Sequence, residues 1–303
     1  MIKPEIYAKS SFKIPNMKCK KRIGSNGIEI QLIEELRDNQ GKNIRDFLPI
    51  EEAEWYDIRA VHCPLIDDKC LLIEDIVIDK EFRLFERVCE IANHYGSKYN
   101  RQIIVVIHSE STLDNLYKYE LIWTALKQRI KLLLNEYPYI KIGIENVTPC
   151  VFDIDSPEIR FANNFGFDNV SIVKCLREEL RTTRIGTVLD TCHAGITEYY
   201  TRDIFDAIDK PYYFSIKNFF DMNKDVCFLI HLSWFKDGGF KDGDHGIPFD
   251  ETTIFIFQTI MEFYKSFGYS CPLTLEVRED DYLVCENYQK MKTIVDNYFN
   301  ELD

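Results

Sequence analysis

Eight apolar runs, alternating with stretches of helical spacing, predict an α/β protein whose strands lie side by side in one parallel sheet. Polar residues at the ends of these runs recur at similar intervals. From His62 to His108 is 46 residues, and the next steps, to Glu145, Asp190, His231 and Glu276, are 37, 45, 41 and 45. Units of similar length suit a closed barrel better than an open sheet, and 303 residues exceed the roughly 250 that such a barrel needs. No composition shift or linker marks a boundary, so the expected organisation is a single (β/α)8 TIM-barrel domain over residues 1–303.

Residues 4–10 read as a first strand and 15–26 as a helix. Its Lys18, Lys20, Lys21 and Arg22 read as a solvated face rather than a phosphate site. Residues 27–32 form a second strand, with Glu29 opposite its apolar neighbours, and 58–64 a third that ends at His62 and is stopped by proline. Residues 80–95 are helical, because Phe82, Phe85, Val88, Cys89 and Ala92 share a face. The apolar run 102–109 is the fourth strand, ending at His108, and one long helix follows to about residue 136. Strand five, 139–146, ends in Glu145; an irregular loop covers 147–168 and a helix 169–181. Strand six runs from Ile185 to Asp190, and strand seven, 225–232, contains His231. The Gly-, Asp- and Lys-rich stretch 233–250 reads as a functional loop. A helix at 251–267, strand eight at 271–277 with Glu276, and a helix at 281–299 complete the chain.

A hydrophobic share of 46% is ample for one large core. The net charge of −13 argues against a broad nucleic-acid-binding face. No apolar run approaches the roughly 20 residues of a membrane span, and the N-terminal MIKPEIYAKSS lacks the apolar core of a secretory signal. Ten cysteines include no Cys-x-x-Cys pair, and Cys63 and Cys227 lie in apolar strands, which fits reduced thiols in a cytoplasmic protein.

Of the six histidines, His62, His108, His193 and His231 fall at or just past strand ends, His245 falls in the loop after strand seven, and only His94 sits on an ordinary helix. One strand-end histidine is usually just a hydrogen-bonded residue at the core margin. Five, joined by Glu145, Asp190 and Glu276, are a different matter, because all C-terminal strand ends of a parallel barrel converge on one mouth. Desolvating so many polar groups together is costly, and a bound cation offsets that cost. The mixture of carboxylates and imidazoles suits Zn²⁺, Mn²⁺, Fe²⁺ or Co²⁺ better than Ca²⁺.

The ordered set VHCP, VVIHSES, GIENV, LDTCHAG, FLIHLS, DHGIP and LTLEV resembles the xylose isomerase-like barrel superfamily over roughly residues 27 to 285. That superfamily contains sugar and sugar-phosphate isomerases and epimerases, and the endonuclease IV branch of apurinic-site endonucleases. The resemblance implies a central divalent metal, Zn²⁺ or Mn²⁺, held by Glu145, Asp190, His231 and Glu276. In the isomerase branch Glu145 and Glu276 are the catalytic carboxylates, moving a proton between carbons of a sugar, sugar phosphate or related polyol at a metal-stabilised enediolate. The endonuclease branch implies up to three zinc ions and abasic DNA as the partner, with His62, His108, His193, His245 and Asp244 as additional metal or substrate ligands.

Three features depart from the endonuclease pattern: Asn146-Val147-Thr148-Pro149 follows the strand-five carboxylate, Asp242 and Asp244 flank Gly243 so that no Asp-x-His pair forms, and Ser233-Trp234 follows strand seven. The ketose-epimerase pattern lacks its arginine after strand seven, since none occurs between Arg202 and Arg278. Trp234 and Arg278 are the expected substrate contacts, with Phe240 as a further aromatic in the loop. The expected activity is that of a metal-dependent sugar isomerase or epimerase with a small carbohydrate as its partner; a zinc phosphodiesterase is the alternative.

Overall fold

In the computed structural model, the described residues are 3–33, 35–39, 41–66, 69–148, 150–153, 156–161, 166–206, 215–236 and 245–301. Eight parallel strands close into a barrel: β1 (Ile6–Ser11), β2 (Gly27–Gln31), β3 (Ile58–His62), β4 (Ile103–Ser109), β5 (Ile140–Asn146), β6 (Ile185–Asp190), β7 (Cys227–Leu232) and β8 (Leu273–Leu275). Each pairs with its neighbours in sequence order, and β8 closes on β1. The outer ring includes α1 (Ile14–Arg22), α2 (Asp79–Tyr99), α3 (Glu120–Glu136), α4 (Phe167–Leu180), α5 (Thr191–Asp206), α6 (Ile216–Asn223), α7 (Ile254–Ser266) and α8 (Glu286–Asn300). No helix among the described residues is long and apolar enough to cross a membrane.

Both faces of such a strand are buried, which is why β4 reads as an unbroken apolar run. Side chains still alternate. Ile103, Val105 and Ile107 join the outer core against the helices, whereas Ile104 and Val106 join a small interior core with Tyr7, Ala60, Val188 and Leu229. Counting on by twos along the interior rows leads from Tyr7 to Lys9, from Ala60 to His62, from Val106 to His108, from Val188 to Asp190 and from Leu229 to His231. Apolar residues thus plug the barrel, and the same parity delivers polar ones to its C-terminal mouth. Gly143 on β5 leaves room for this packing, because a Cβ there would lie 2.7 Å from Val188 Cγ2. Register then sets the polar residues side by side: His108 opposite Glu145, Asp190 opposite His231, His231 opposite Thr274 and Gln31 opposite His62.

Four local expectations change. The helix after β4 is two helices, Leu113–Lys118 and α3, broken at Tyr119 (φ −112°, ψ 84°). Within 147–168, Cys150–Asp153 pairs antiparallel with Ser156–Phe161; so short a ribbon, with proline in one strand, gives almost no periodicity to read. Within 233–250, Trp234–Phe235 pairs with His245–Ile247. The α1 cations are not all solvated either. Lys20 is buried, its ammonium 2.5 Å from the equally buried Glu279 and over the Tyr288 ring. Glu279 also accepts the Asn287 and Tyr288 N–H groups at the start of α8, so α1 and α8 are joined through one charge pair.

Candidate metal centre

Glu145, at the end of β5, is the hub. Its side chain is fully buried between imidazoles: Oε2 lies 2.9 Å from His62 Nε2 and 3.1 Å from His108 Nε2, and Oε1 lies 3.1 Å from His231 Nδ1. His231 Nδ1 in turn faces three carboxylates: Glu276 Oε2 at 2.6 Å, Glu145 Oε1 at 3.1 Å and Asp190 Oδ2 at 3.9 Å. Two donor groups therefore share Glu145, one made with His62 and His108, the other with Asp190, His231 and Glu276.

One ring N–H cannot serve three carboxylates. It aligns with Glu145, and the nearer Glu276 Oε2 is buried with no hydrogen-bond donor among the described residues. Oxygen and nitrogen donors held at about 2.1 Å by one ion stand roughly 3.0–3.4 Å apart in octahedral or tetrahedral sites. The spacings here bracket that range, and three carboxylates with one imidazole are hard and borderline donors, so the residues fit a divalent cation.

The surroundings hold these donors in place. His231 Nε2 lies 3.0 Å from Glu29 Oε2, which also accepts the Thr274 hydroxyl at 2.8 Å. A buried carboxylate behind a histidine fixes the ring's orientation and raises its basicity. Lys9 donates to Glu276 Oε1 at 2.5 Å and stands 4.0 Å from Glu29 Oε1. Asn146 joins β5 to β6 with both ends of its amide: Oδ1 accepts the Asp190 N–H at 2.7 Å, and Nδ2 donates to the Asp190 carbonyl at 3.0 Å. The Asn146 carbonyl accepts from His193 Nδ1 at 2.8 Å, while Asp190 Oδ1 accepts the His193 N–H at the start of α5.

Electrostatics follow from this packing. Burial pushes the Glu145 carboxyl up, but His231 and His108 prevail and hold it well below the usual carboxylate range. Burial disfavours a charged His231, yet Glu145, Glu29 and Glu276 hold its pKa well above that of a free imidazole. Asp190 goes the other way: burial, opposed by His193 and reinforced by Glu276 and Glu145, pushes it up to about 6.

Of the remaining expected site residues, His193 and His245 continue the row of imidazoles, with ring centroids 6.5 Å from His108 to His193 and 6.4 Å from His193 to His245. Arg278 donates to His245 Nε2 at 3.1 Å. Trp234 lies apart from this cluster, nearly buried against Phe235 and Phe249, with its ring over Gly195 of α5. Asp244 and Phe240 lie outside the described residues. Sequence reading missed Lys9 and Thr274, and saw Glu29 without its meaning.

A family model described as a xylose isomerase-like TIM barrel matches residues 21–296. Solved structures of similar fold include D-allulose 3-epimerase from Methylomonas sp. in complex with D-allulose (12% identity, 99% of this chain, 97% of that one, TM-score 0.60). A xylose isomerase domain containing protein from Salmonella typhimurium aligns at 13% identity over 100% and 98% of the two chains, with TM-score 0.58. The apo 3-keto-D-glucoside 4-epimerase from E. coli aligns at 12% identity over 97% and 100%, with TM-score 0.56. No curated protein sequence matches significantly.

Proposed function

Because the chain belongs to the xylose isomerase-like TIM barrel family, we propose that it is a metal-dependent isomerase or epimerase of a sugar or related polyol. The observation that carries this reading is the pair Glu145 and Glu276, whose carboxylates meet His231 Nδ1 from the end of β5 and from just past β8 at 3.1 and 2.6 Å beside Asp190. Glu145, Asp190, His231 and Glu276 would hold the ion. A divalent cation there supplies Lewis-acid polarisation of a carbonyl and its neighbouring hydroxyl, making negative charge on those oxygens affordable.

The protein's own groups do the rest. Glu276 takes the proton from the carbon beside the carbonyl and can return it to the adjacent carbon, whereas inversion needs a proton on the opposite face, which Glu145 would pass on from the His62 or His108 imidazole at its Oε2. Lys9 keeps Glu276 ionised and oriented through Oε1, and Glu29 orients His231 from behind. His108 and His193 line the other side of the mouth, where they can hold substrate hydroxyls, with the buried His62 behind them on Glu145. The eight described free cysteines accord with a cytoplasmic setting.

A second reading has its own observation. The donor group His62, His108 and Glu145 is complete beside the first and shares a carboxylate with it, as clustered metals in phosphodiester hydrolysis require. Elemental analysis and two assays separate the readings. One ion per chain, with deuterium entering ketoses from D2O beside the carbonyl, supports the isomerase. Two or three zinc ions with cleavage of an abasic-site duplex, lost in Glu145→Gln, would overturn it.

A further inference from the structure

Beside Glu276 the mouth opens into a cavity of about 360 Å³ between β1, β2 and the segment after β8, lined by Lys9, Lys13, Gln31, His245, Glu276 and Arg278 among others. In a chain of net charge −13, the described residues of this wall carry three permanent cations and one carboxylate, and that carboxylate is a member of the metal-donor set. Its volume suits one small ligand rather than a polymer.

The cations are placed by backbone rather than by chance. Arg278 N–H donates to the Gly246 carbonyl at 2.8 Å, and Gly246 supplies the left-handed backbone (φ +70°) against which the Arg278 stem lies. Lys13 is the residue immediately before α1, and no side chain caps that helix, so its positive end adds to the Lys13 charge at the same wall. Lys9 uses one of its three N–H donors on Glu276. The cavity therefore runs from the reacting carboxylate to an outer cationic end.

We propose that this cavity is a subsite for an anionic group on the substrate, a phosphate or a carboxylate, bound by Lys13 and Arg278 while the neutral carbons lie over the metal centre. The substrate class is then a sugar phosphate or a sugar acid, a commitment that rests on the isomerase or epimerase reading of that centre.

The test measures binding apart from turnover. Calorimetric titration of the Mn²⁺-loaded full chain with inorganic phosphate and, separately, with acetate is expected to show saturable binding of at least one anion. Lys13→Ala and Arg278→Ala are each expected to weaken it about tenfold, the scale of one charge-assisted hydrogen bond, with Arg278→Lys intermediate. Both side chains are exposed, so the variants fold, as circular dichroism checks. Phosphate binding alone assigns a phosphorylated sugar, acetate binding alone a sugar acid, and binding of both a site that reads charge. No saturable binding, or binding indifferent to both alanine variants and therefore on the metal, overturns the proposal. If neutral ketoses exchange deuterium but no anion binds, the subsite fails and the isomerase reading stands. If anions bind through Lys13 and Arg278 but no neutral, phosphorylated or carboxylated ketose exchanges, the isomerase reading fails and the anion site stands.

Discussion

The two donor groups that share Glu145 differ in burial, since only Glu276 is partly exposed, and they differ more in how they are supported. Behind His231 stands a carboxylate, Glu29, itself held by Thr274. Behind His62, among the described residues, stand neutral partners: the Cys63 carbonyl at 2.9 Å and the Gln31 amide at 3.4 Å from Nδ1. A charged partner strengthens an imidazole as a metal ligand and neutral ones do so far less. On the proposed reading the four-residue group would hold the stronger ion, and any second ion beside His62 and His108 would be held more weakly. Under the proposed function, that difference favours a single ion over a cluster.

Removing the shared residue should have the largest effect. Glu145→Gln is expected to empty both groups and to lower turnover by roughly a thousandfold, read by elemental analysis and deuterium exchange. The next effect divides the groups. Glu276→Gln should cost on the order of a hundredfold or more while His108→Ala stays within about tenfold; equal losses would erase the distinction. Smaller again is the supporting carboxylate. Glu29→Gln should weaken Mn²⁺ binding by about 10- to 100-fold, whereas Gln31→Ala should leave it unchanged, as direct titration would reveal.

The smallest effect is a pH dependence. Asp190, pushed up to about 6 mainly by burial, must be ionised to ligate, so Mn²⁺ affinity should fall as pH drops through about 6, by at most about tenfold per pH unit for this group. The proton on His231 must also leave for the ring to ligate, which adds in the same direction. The Asp190 contribution to the stability of the metal-free protein has the opposite sign. A carboxyl raised on folding contributes stability in full below its unfolded pKa of about 3.9, and that contribution is lost as pH rises through about 6. Thermal midpoints of the metal-free and Mn²⁺-loaded forms should therefore diverge between about pH 4 and 7, widening upward.

The barrel was legible because parallel strands are buried on both faces: Ile103–Ile107 announces itself as an apolar run whatever surrounds it, and Ile140–Ile144 is interrupted only by Lys141 and Gly143. Its polar strand ends were legible for the same reason, as interruptions of those runs. Glu29 was not. Alternation correctly set it opposite Ile28 and Ile30, but a period of two cannot say whether that opposite face meets water or the inside of a closed barrel. Lys9 and Thr274 share this fate. The Lys20–Glu279 pair was hidden by distance, since only the fold brings residues 259 apart in the chain into contact. The ribbon at Cys150–Phe161 was hidden by its brevity.

Asn146 carries a consequence for how the centre fills. By gripping Asp190 at both its N–H and its carbonyl, it fixes one ligand-bearing backbone against the next strand. The plug of Tyr7, Ala60, Ile104, Val106, Val188 and Leu229 beneath owes nothing to an ion. An arriving cation would meet a seat already cut, with little chain left to order. Uptake would then be paced by the ion's own shedding of water, and a chelator would empty the mouth while leaving the barrel standing, the reverse of a small zinc domain that collapses without its metal.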